Sequence, residues 1–312
     1  MNAADKIYVA GHTGLVGSAI VRRLQADGFD NLLLRRHSDL DLEDQAAVNA
    51  FFERERPAYV IVAAAKVGGI VANNTYPADF IAINLAIALN VISAAHHSGT
   101  RKLLFLSSSC VYPKLAPQPL REEYLLSGPL EPTNDAYAIA KIAGMKLAEA
   151  YHRQHGDQFF SVLPTNVYGP FDNFDLQTSH VLPALIRKFH EAQESGAGSI
   201  ELWGTGTPRR EFIHADDLAD ACVFLMRNYS DSAPVNIGVG TDSTIAELAQ
   251  MIARIVGFRG QIKFDHSHPD GTPRKLLDTS RLTDMGWQSR VGLEEGIAKV
   301  YDWYRAHVAV AV

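Results

Sequence analysis

Cysteine is nearly missing from this chain, which has only Cys110 and Cys222 among 312 residues. Two thiols cannot supply the disulfide framework of a secreted scaffold, so the chain reads as a protein of a reducing compartment in which each thiol needs its own explanation. Concentrated positive charge is missing too: 29 Lys and Arg face 35 Asp and Glu, for a formal net charge of -6. No basic stripe is available to neutralise a nucleic-acid backbone or an anionic bilayer, so neither is expected as a partner, and an anionic ligand would have to be held by a few local cations. No low-complexity segment, internal repeat or long linker divides the chain, and no apolar run stands out at the ~20 residues that span a bilayer. The opening residues MNAADKIYVAGH lack a basic stretch followed by an apolar one. The expected location is cytoplasmic.

Hydrophobic residues, by contrast, make up 47% of the chain, enough for a large core. In the first half they come as short runs, KIYVAG, NLLLRR, AYVIVAAA, KLLFLSSS and FFSVLPTN, separated by longer segments with helical spacing such as 15–27 and 43–56. Alternation of this kind predicts an α/β fold, a Rossmann-type doubly wound parallel sheet with helices on both faces. From Asn166 onward the pattern loosens into short strands between Gly, Pro and Arg. The expected organisation is a nucleotide-binding domain over 1–165, to which later segments return, and a smaller substrate-binding lobe over most of 166–312, interleaved with the sheet.

After the first strand the chain reads Gly11-His12-Thr13-Gly14-Leu15-Val16-Gly17. Glycines at this spacing permit a tight turn, let the backbone approach a phosphate, and open a helix whose first amides attract the anion. A glycine trio can also be plain turn chemistry, but the strand before it and the helix after it favour a dinucleotide. At the end of the second strand, where a site selective for NAD places a carboxylate, the chain carries Leu34-Arg35-Arg36-His37. Two arginines there suit the additional 2'-phosphate of NADP(H), with a solvated Arg pair as the alternative.

A long helical segment holds Tyr137 and Lys141, four residues apart and so on one face. The lysine's charge favours the phenolate and is expected to lower the tyrosine pKa toward working pH. At the end of the fourth strand stand Leu106-Ser107-Ser108-Ser109-Cys110. Ser108 is the candidate to hydrogen-bond a substrate carbonyl oxygen, completing a Ser/Tyr/Lys set for hydride transfer, and Leu106, Ser107 and Ser109 are placed along the cofactor groove. Pro164, Thr165, Asn166 and Val167, in PTNVYG, are expected on its nicotinamide side.

The segments GHTGLVGSAI, AAAKVGGIVANNTYPADFI, LLFLSSSCVYPK, EPTNDAYAIAKIAGMKLAE, PTNVYGPFDNF, SHVLPALIRKFHEA, WGTGTPRREFIHADD and DGTPRKLLD resemble the GDP-L-fucose synthases, GDP-4-keto-6-deoxy-D-mannose 3,5-epimerase/4-reductases of the extended short-chain dehydrogenase/reductase family. The resemblance runs over essentially the whole chain. It implies NADPH, a GDP-sugar substrate, a homodimer built on the long helices near 75–99 and around Tyr137, and an epimerisation chemistry in which Cys110 is the base and His180 the acid. His180 would also lie against the cofactor. Thr13 and His37 depart from the pattern, since both stand where arginines gripping the 2'-phosphate are expected. Lys188, Trp203, Arg210, Asp270 and Lys275 match the family's substrate-binding segments, three as cations for the diphosphate, Trp203 as a wall and Asp270 as a polar contact. The thiolate that Cys110 needs would come from a neighbouring imidazolium or from Lys141. Cys222 reads as an ordinary core residue. Two other functions fit less well: an epimerase/reductase for a related sugar, as in GDP-L-colitose synthesis, and a non-catalytic NADP sensor, which would have no need of Ser108, Tyr137 and Lys141 together.

Overall fold

The computed structural model describes residues 1–267 and 270–309. The five apolar runs form strands β1 (Ile7–Ala10), β2 (Leu32–Leu33), β3 (Tyr59–Val62), β4 (Lys102–Leu106) and β5 (Gln158–Pro164). Between them lie helices α1 (Leu15–Ala26), α2 (Gln45–Glu55), α3 (Ile70–Thr75), α4 (Pro77–His97) and α5 (Asp135–His155). The second half contributes β6 (Asn166–Tyr168), α6 (Val181–Glu194), β7 (Ser199–Trp203), β8 (Arg209–Arg210), β9 (Phe212–His214), α7 (Ala215–Asn228) and β10 (Val235–Ile237). It continues with β11 (Ser243–Thr244), α8 (Ile245–Val256), β12 (Gln261–Asp265), β13 (Arg274–Lys275), α9 (Ser280–Asp284) and α10 (Leu293–His307).

The main sheet has the order β10-β5-β4-β3-β1-β2, and all its pairings are parallel. Its strands are apolar on both sides because both faces are covered. Tyr8, Val60, Leu103, Phe105 and Phe159 pack with α2, α4 and α5, whereas Val9, Ile61, Leu104, Phe160 and Val162 pack with α1 and α7. Period-two alternation thus distributes one strand between two cores. NLLLRR yields only two paired residues because β2 is an edge strand with a single neighbour, β1. At the opposite edge β10, reached through α7, pairs with β5. A third core, built from Tyr168, Leu182, Ile186, Phe189, Ile252 and Ile297 among others, holds α6, α8 and α10 together.

Helix α5 lies unusually close to the sheet, since a Cβ at Gly144 would come within 2.7 Å of the Phe105 ring and 3.1 Å of the Ala88 methyl. Glycine is what allows the approach, and it carries Tyr137 and Lys141 to the end of β4. Helix α4 corrects one expectation from the sequence. Its 21 residues are long and apolar enough to cross a membrane. Composition alone misleads here: half of that apolar window is buried inside the protein, with Ile87, Val91 and Ile92 in the first core.

Candidate active site

The strands end on a common edge, and the segments that leave them line a cleft of about 1430 Å³. Gly11 follows β1, Arg35 and Arg36 follow β2, Ala63 to Lys66 follow β3, Ser107 to Cys110 follow β4, and Asn166 and Val167 follow β5. Open parallel sheets bind ligands at this edge. The other wall comes from the second half, including His180, Lys188, Trp203, Arg210, Asp270 and Lys275.

At the floor, Gly11 adopts φ 81° and its carbonyl accepts from Gly14 N at 3.1 Å. A Cβ at Gly17 would collide with that carbonyl, and one at Gly11 would lie 2.7 Å from Ala64 N. Both positions exclude any side chain. Helix α1 begins at Gly14 with no side-chain cap and no acidic residue in its first turn, so its leading amides face the cleft free for an anion. Thr13, Gly14, Leu15, Val16 and Gly17 line the cleft, and so do Leu106, Ser107, Pro164 and Thr165. His12 is not among the lining residues. Its ring is instead coupled to Arg36 and Asp39 and bonded to the Arg35 main chain.

The two arginines after β2 differ. Arg35 is engaged: its guanidinium donates to Leu34 O at 2.9 Å, approaches Glu55 Oε1 at 3.4 Å, and lies 5.6 Å from the Phe51 ring centroid. Arg36 is exposed and its side chain makes no ion pair among the described residues, leaving it the freer of the two to meet a phosphate. The carrier of Arg36 is a short loop held where its amide donates to Asp39 Oδ2 at 3.3 Å.

The chemistry-bearing residues converge where β4 ends. Ser108 caps a single 3-10 turn over 109–111 by accepting from Cys110 N at 3.3 Å. Lys141 is buried, donates from Nζ to Leu106 O at 2.8 Å, and sits 5.7 Å from the Tyr137 ring centroid. Burial pushes the Lys141 ammonium down to about 8. For Tyr137 burial also dominates and raises the phenol well above its ordinary value. The expected lowering of Tyr137 by Lys141 is not found: burial, with the charge of Cys110 adding to it, raises the phenol and keeps it protonated.

Burial raises the Cys110 thiol as well, opposed first by the charge of Lys275, then by a hydrogen bond to Ser108, and only then by Lys141. Among the described residues no imidazolium is a leading influence on it. His180, the N-cap of α6, is pushed below its ordinary value by burial and by the positive charge of Lys275. Lys275 is thus the cation that acts on both members of the expected acid/base pair. Cys222 is fully buried in the second core.

Of the other cations, Lys188 stands over the Trp203 ring with Nζ 5.4 Å from its centroid, and Arg210 is held by a bond to Arg209 O at 2.9 Å with its charge facing Asp270 and Glu131. Asp270 is already occupied, since its oxygens accept from Thr205 N at 2.7 Å and Thr205 Oγ1 at 2.8 Å. Arg209 belongs to the scaffold through Asp242 at 2.8 Å. Three carboxylates carry no signal in one dimension. Asp172 lines the cleft with its carboxyl pushed up to about 7 by burial. Glu131 lines it too, paired with Lys114 at 2.9 Å. Glu211, fully buried, accepts at Oε1 from Val239 N and Gly240 N, at 2.6 and 2.7 Å, and at Oε2 from Leu277 N at 2.9 Å. Its main-chain carbonyl takes bonds from Thr165 Oγ1 and Asn166 Nδ2 at 3.1 and 2.8 Å. Across the cleft mouth, Gly69 N donates to Thr178 O at 2.9 Å.

The two thiols should respond differently to iodoacetamide. Cys110, at the cleft wall, should be alkylated with a rate still rising above the ordinary thiol range of pH, because burial outweighs its cationic neighbours. Cys222 should stay unlabelled in the folded protein. Peptide mass mapping over pH reads both, and a Cys110 rate that levels off below pH 8 would contradict the ordering of these effects.

Residues 7–238 match the NAD dependent epimerase/dehydratase family. GDP-L-fucose synthase 1 of Arabidopsis thaliana is 59% identical over 97% of this chain and 94% of its own length. GDP-L-fucose synthase of Escherichia coli K12 is 54% identical over 96% of each. A crystal structure of a GDP-L-fucose synthetase from Naegleria fowleri bound to NADP superposes with a TM-score of 0.91 at 30% identity, covering 99% of this chain and 96% of that one. With glycine turn, Tyr/Lys helix and strand-end hydroxyls all at one sheet edge, the chain belongs to the NAD dependent epimerase/dehydratase family and, within it, to the group of the GDP-L-fucose synthases.

Proposed function

We propose that the chain converts GDP-4-keto-6-deoxy-D-mannose and NADPH to GDP-L-fucose and NADP, by epimerisation at C3 and C5 and reduction at C4. The observation that supports it most is the meeting of two sets of groups in one cleft: Ser108, Tyr137 and Lys141, which suit reduction of a carbonyl, and Cys110 with His180, which suit proton transfer beside it. The glycine turn and the uncapped start of α1 fit a dinucleotide diphosphate. Bound NADPH supplies a hydride to C4.

Cys110 takes a proton from the carbon next to the ketone, and His180 returns one from the opposite face. The negative charge that this places on the C4 oxygen is met by the Ser108 hydroxyl and the Tyr137 phenol, preorganised donors in a cleft largely shielded from water. At the reduction step Tyr137 gives its proton to the same oxygen, and the Lys141 ammonium offsets the phenolate left behind. Arg210 and Lys188 are assigned to the GDP diphosphate, with Trp203 as a wall beside Lys188. Arg36 is assigned to the 2'-phosphate. Exposed apolar side chains on the paired helices α4 and α5, Leu85, Leu89 and Ile139 at 36, 50 and 45% exposure, support a homodimer through this face. The chain then acts as a cytoplasmic enzyme on a small molecule.

The two half-reactions should separate by mutation. With no NADPH, proton abstraction is followed as deuterium uptake at C3 and C5 in heavy water. Cys110→Ser keeps the shape but replaces the thiol with a far weaker acid, so uptake should fall at least about a hundredfold. Tyr137→Phe should suppress NADPH oxidation yet retain appreciable uptake. Wild-type uptake in Cys110→Ser would remove the thiol from the chemistry. A sugar of the colitose type, lacking the C3 hydroxyl, turned over faster than the fucose precursor would replace the substrate.

Arg36→Ala should raise the Kd for NADPH about tenfold or more while leaving NADH nearly unchanged, because only NADPH carries the phosphate being neutralised. Equal losses for both cofactors would move the phosphate away from Arg36. Leu89→Glu should place a charge on the α4 and α5 face and turn a dimer into a monomer by light scattering. A monomeric wild type would end the proposal for this face.

A further inference from the structure

Epimerising both neighbours of the ketone makes a demand that one pass of acid and base does not meet. In a 4-keto ring of D-manno configuration the hydrogens on C3 and C5 lie on the same face, so one base must remove both and one acid on the other face must replace both. After the first exchange Cys110 carries a proton as S–H, and His180 has given one up. Neither is ready for the second carbon. Resting on the function proposed above, the same two residues have to be reset while the sugar stays bound.

Lys275 is placed for that reset. It comes from β13, and its side chain lines the main cleft together with Cys110 and His180. It also lines, again with Cys110, a small cavity of about 10 Å³, close to the space that one water fills. The cavity's polar wall includes Glu131, Thr272 and Gln118. Among the described residues Nζ of Lys275 has neither a hydrogen bond nor a salt bridge, although it lies deep enough that burial pushes its ammonium down, with Cys110 and Glu131 working the other way and Arg210 adding to the lowering. Burial raises the thiol and lowers the amine, so the two approach each other in proton affinity. Among the described residues Lys275 is the one cation whose charge acts on both Cys110 and His180.

We propose that Lys275 resets the pair between the two epimerisations by carrying the proton from Cys110 back to His180. In the first step the neutral amine of Lys275 takes the proton of the Cys110 thiol, directly or through a water in the small cavity, which gives thiolate and ammonium. In the second the ammonium gives a proton to neutral His180, which leaves imidazolium and amine. Two proton transfers occur, no redox change takes place, and charge is conserved at each. Glu131, anchored by Lys114 at 2.9 Å, favours the ammonium through its charge. Lys275 acts through the two catalytic residues.

The distinction to test is between a charge and a carrier. Arginine keeps the positive charge but does not release its proton in a protein. In heavy water without NADPH, the early product mixture is analysed by mass spectrometry for sugars carrying one deuterium and two. Lys275→Arg should retain single exchange while the ratio of doubly to singly labelled sugar falls about tenfold or more. Lys275→Ala should show the same low ratio, and added methylamine should raise it. A wild-type ratio in Lys275→Arg or in Lys275→Ala overturns the proposal, and so does loss of the first exchange in Lys275→Arg to the same degree as the second. Cys110→Ser is run beside them: full exchange there defeats the acid/base reading itself, whatever the Lys275 variants do.

Discussion

Desolvation is the constraint on which this site depends. Cys110, Tyr137, Lys141, His180 and Lys275 are all pushed toward their neutral forms by the protein around them. Tyr137 and Cys110 therefore hold their protons more tightly than a free phenol and a free thiol. Two lysines from distant parts of the chain bring charge here, Lys141 from α5 beside Tyr137 and Lys275 from β13, whose charge acts on Cys110 and His180. The same dry surroundings that suppress the charges strengthen every charge–charge contact that does form. A more open cleft would give Cys110 its thiolate more readily but would weaken the hold on a developing oxyanion.

Much of this could be read from residues alone. Strand runs, the Gly11/Gly14/Gly17 turn and the Tyr137/Lys141 spacing are local patterns, set by backbone sterics and helical period, and they survive in one dimension. The membrane-like composition of 77–97 is the reverse case. An apolar helix buried in a core and one in lipid have the same sequence signature, and only the packing of Ile87, Val91 and Ile92 decides between them. The direction of the tyrosine's shift is also not legible, because spacing shows the nearby ammonium and not the burial that raises the phenol.

Residues that act by convergence leave little linear signal: Glu131 leaves none, and Lys275 is marked only by the family resemblance, as a cation for the diphosphate. Glu131 lies in an ordinary turn and Lys275 beside Arg274 in a two-residue strand. Each gains its meaning from a neighbour more than a hundred positions away, as Thr272 Oγ1 does in reaching Glu131 Oε2 at 3.5 Å. Arg209 and Arg210 make the same point within a dipeptide. Strand geometry sends adjacent side chains to opposite faces, one to Asp242 in the scaffold and the other into the cleft.

Glu211 has a mechanical meaning. Its carboxylate fastens 239–240 and 277, while its own carbonyl fastens 165–166. Four stretches of chain from both walls of the cleft meet at one buried residue, a rivet at the point where two halves of a jaw would need an axle. Jaw-like opening would strip several buried bonds at once. The contact between Gly69 and Thr178 across the mouth is a single main-chain bond in surface segments, so it is the cheaper one to break. Opening the cleft is thereby cheaper at its lips than at the walls joined through Glu211.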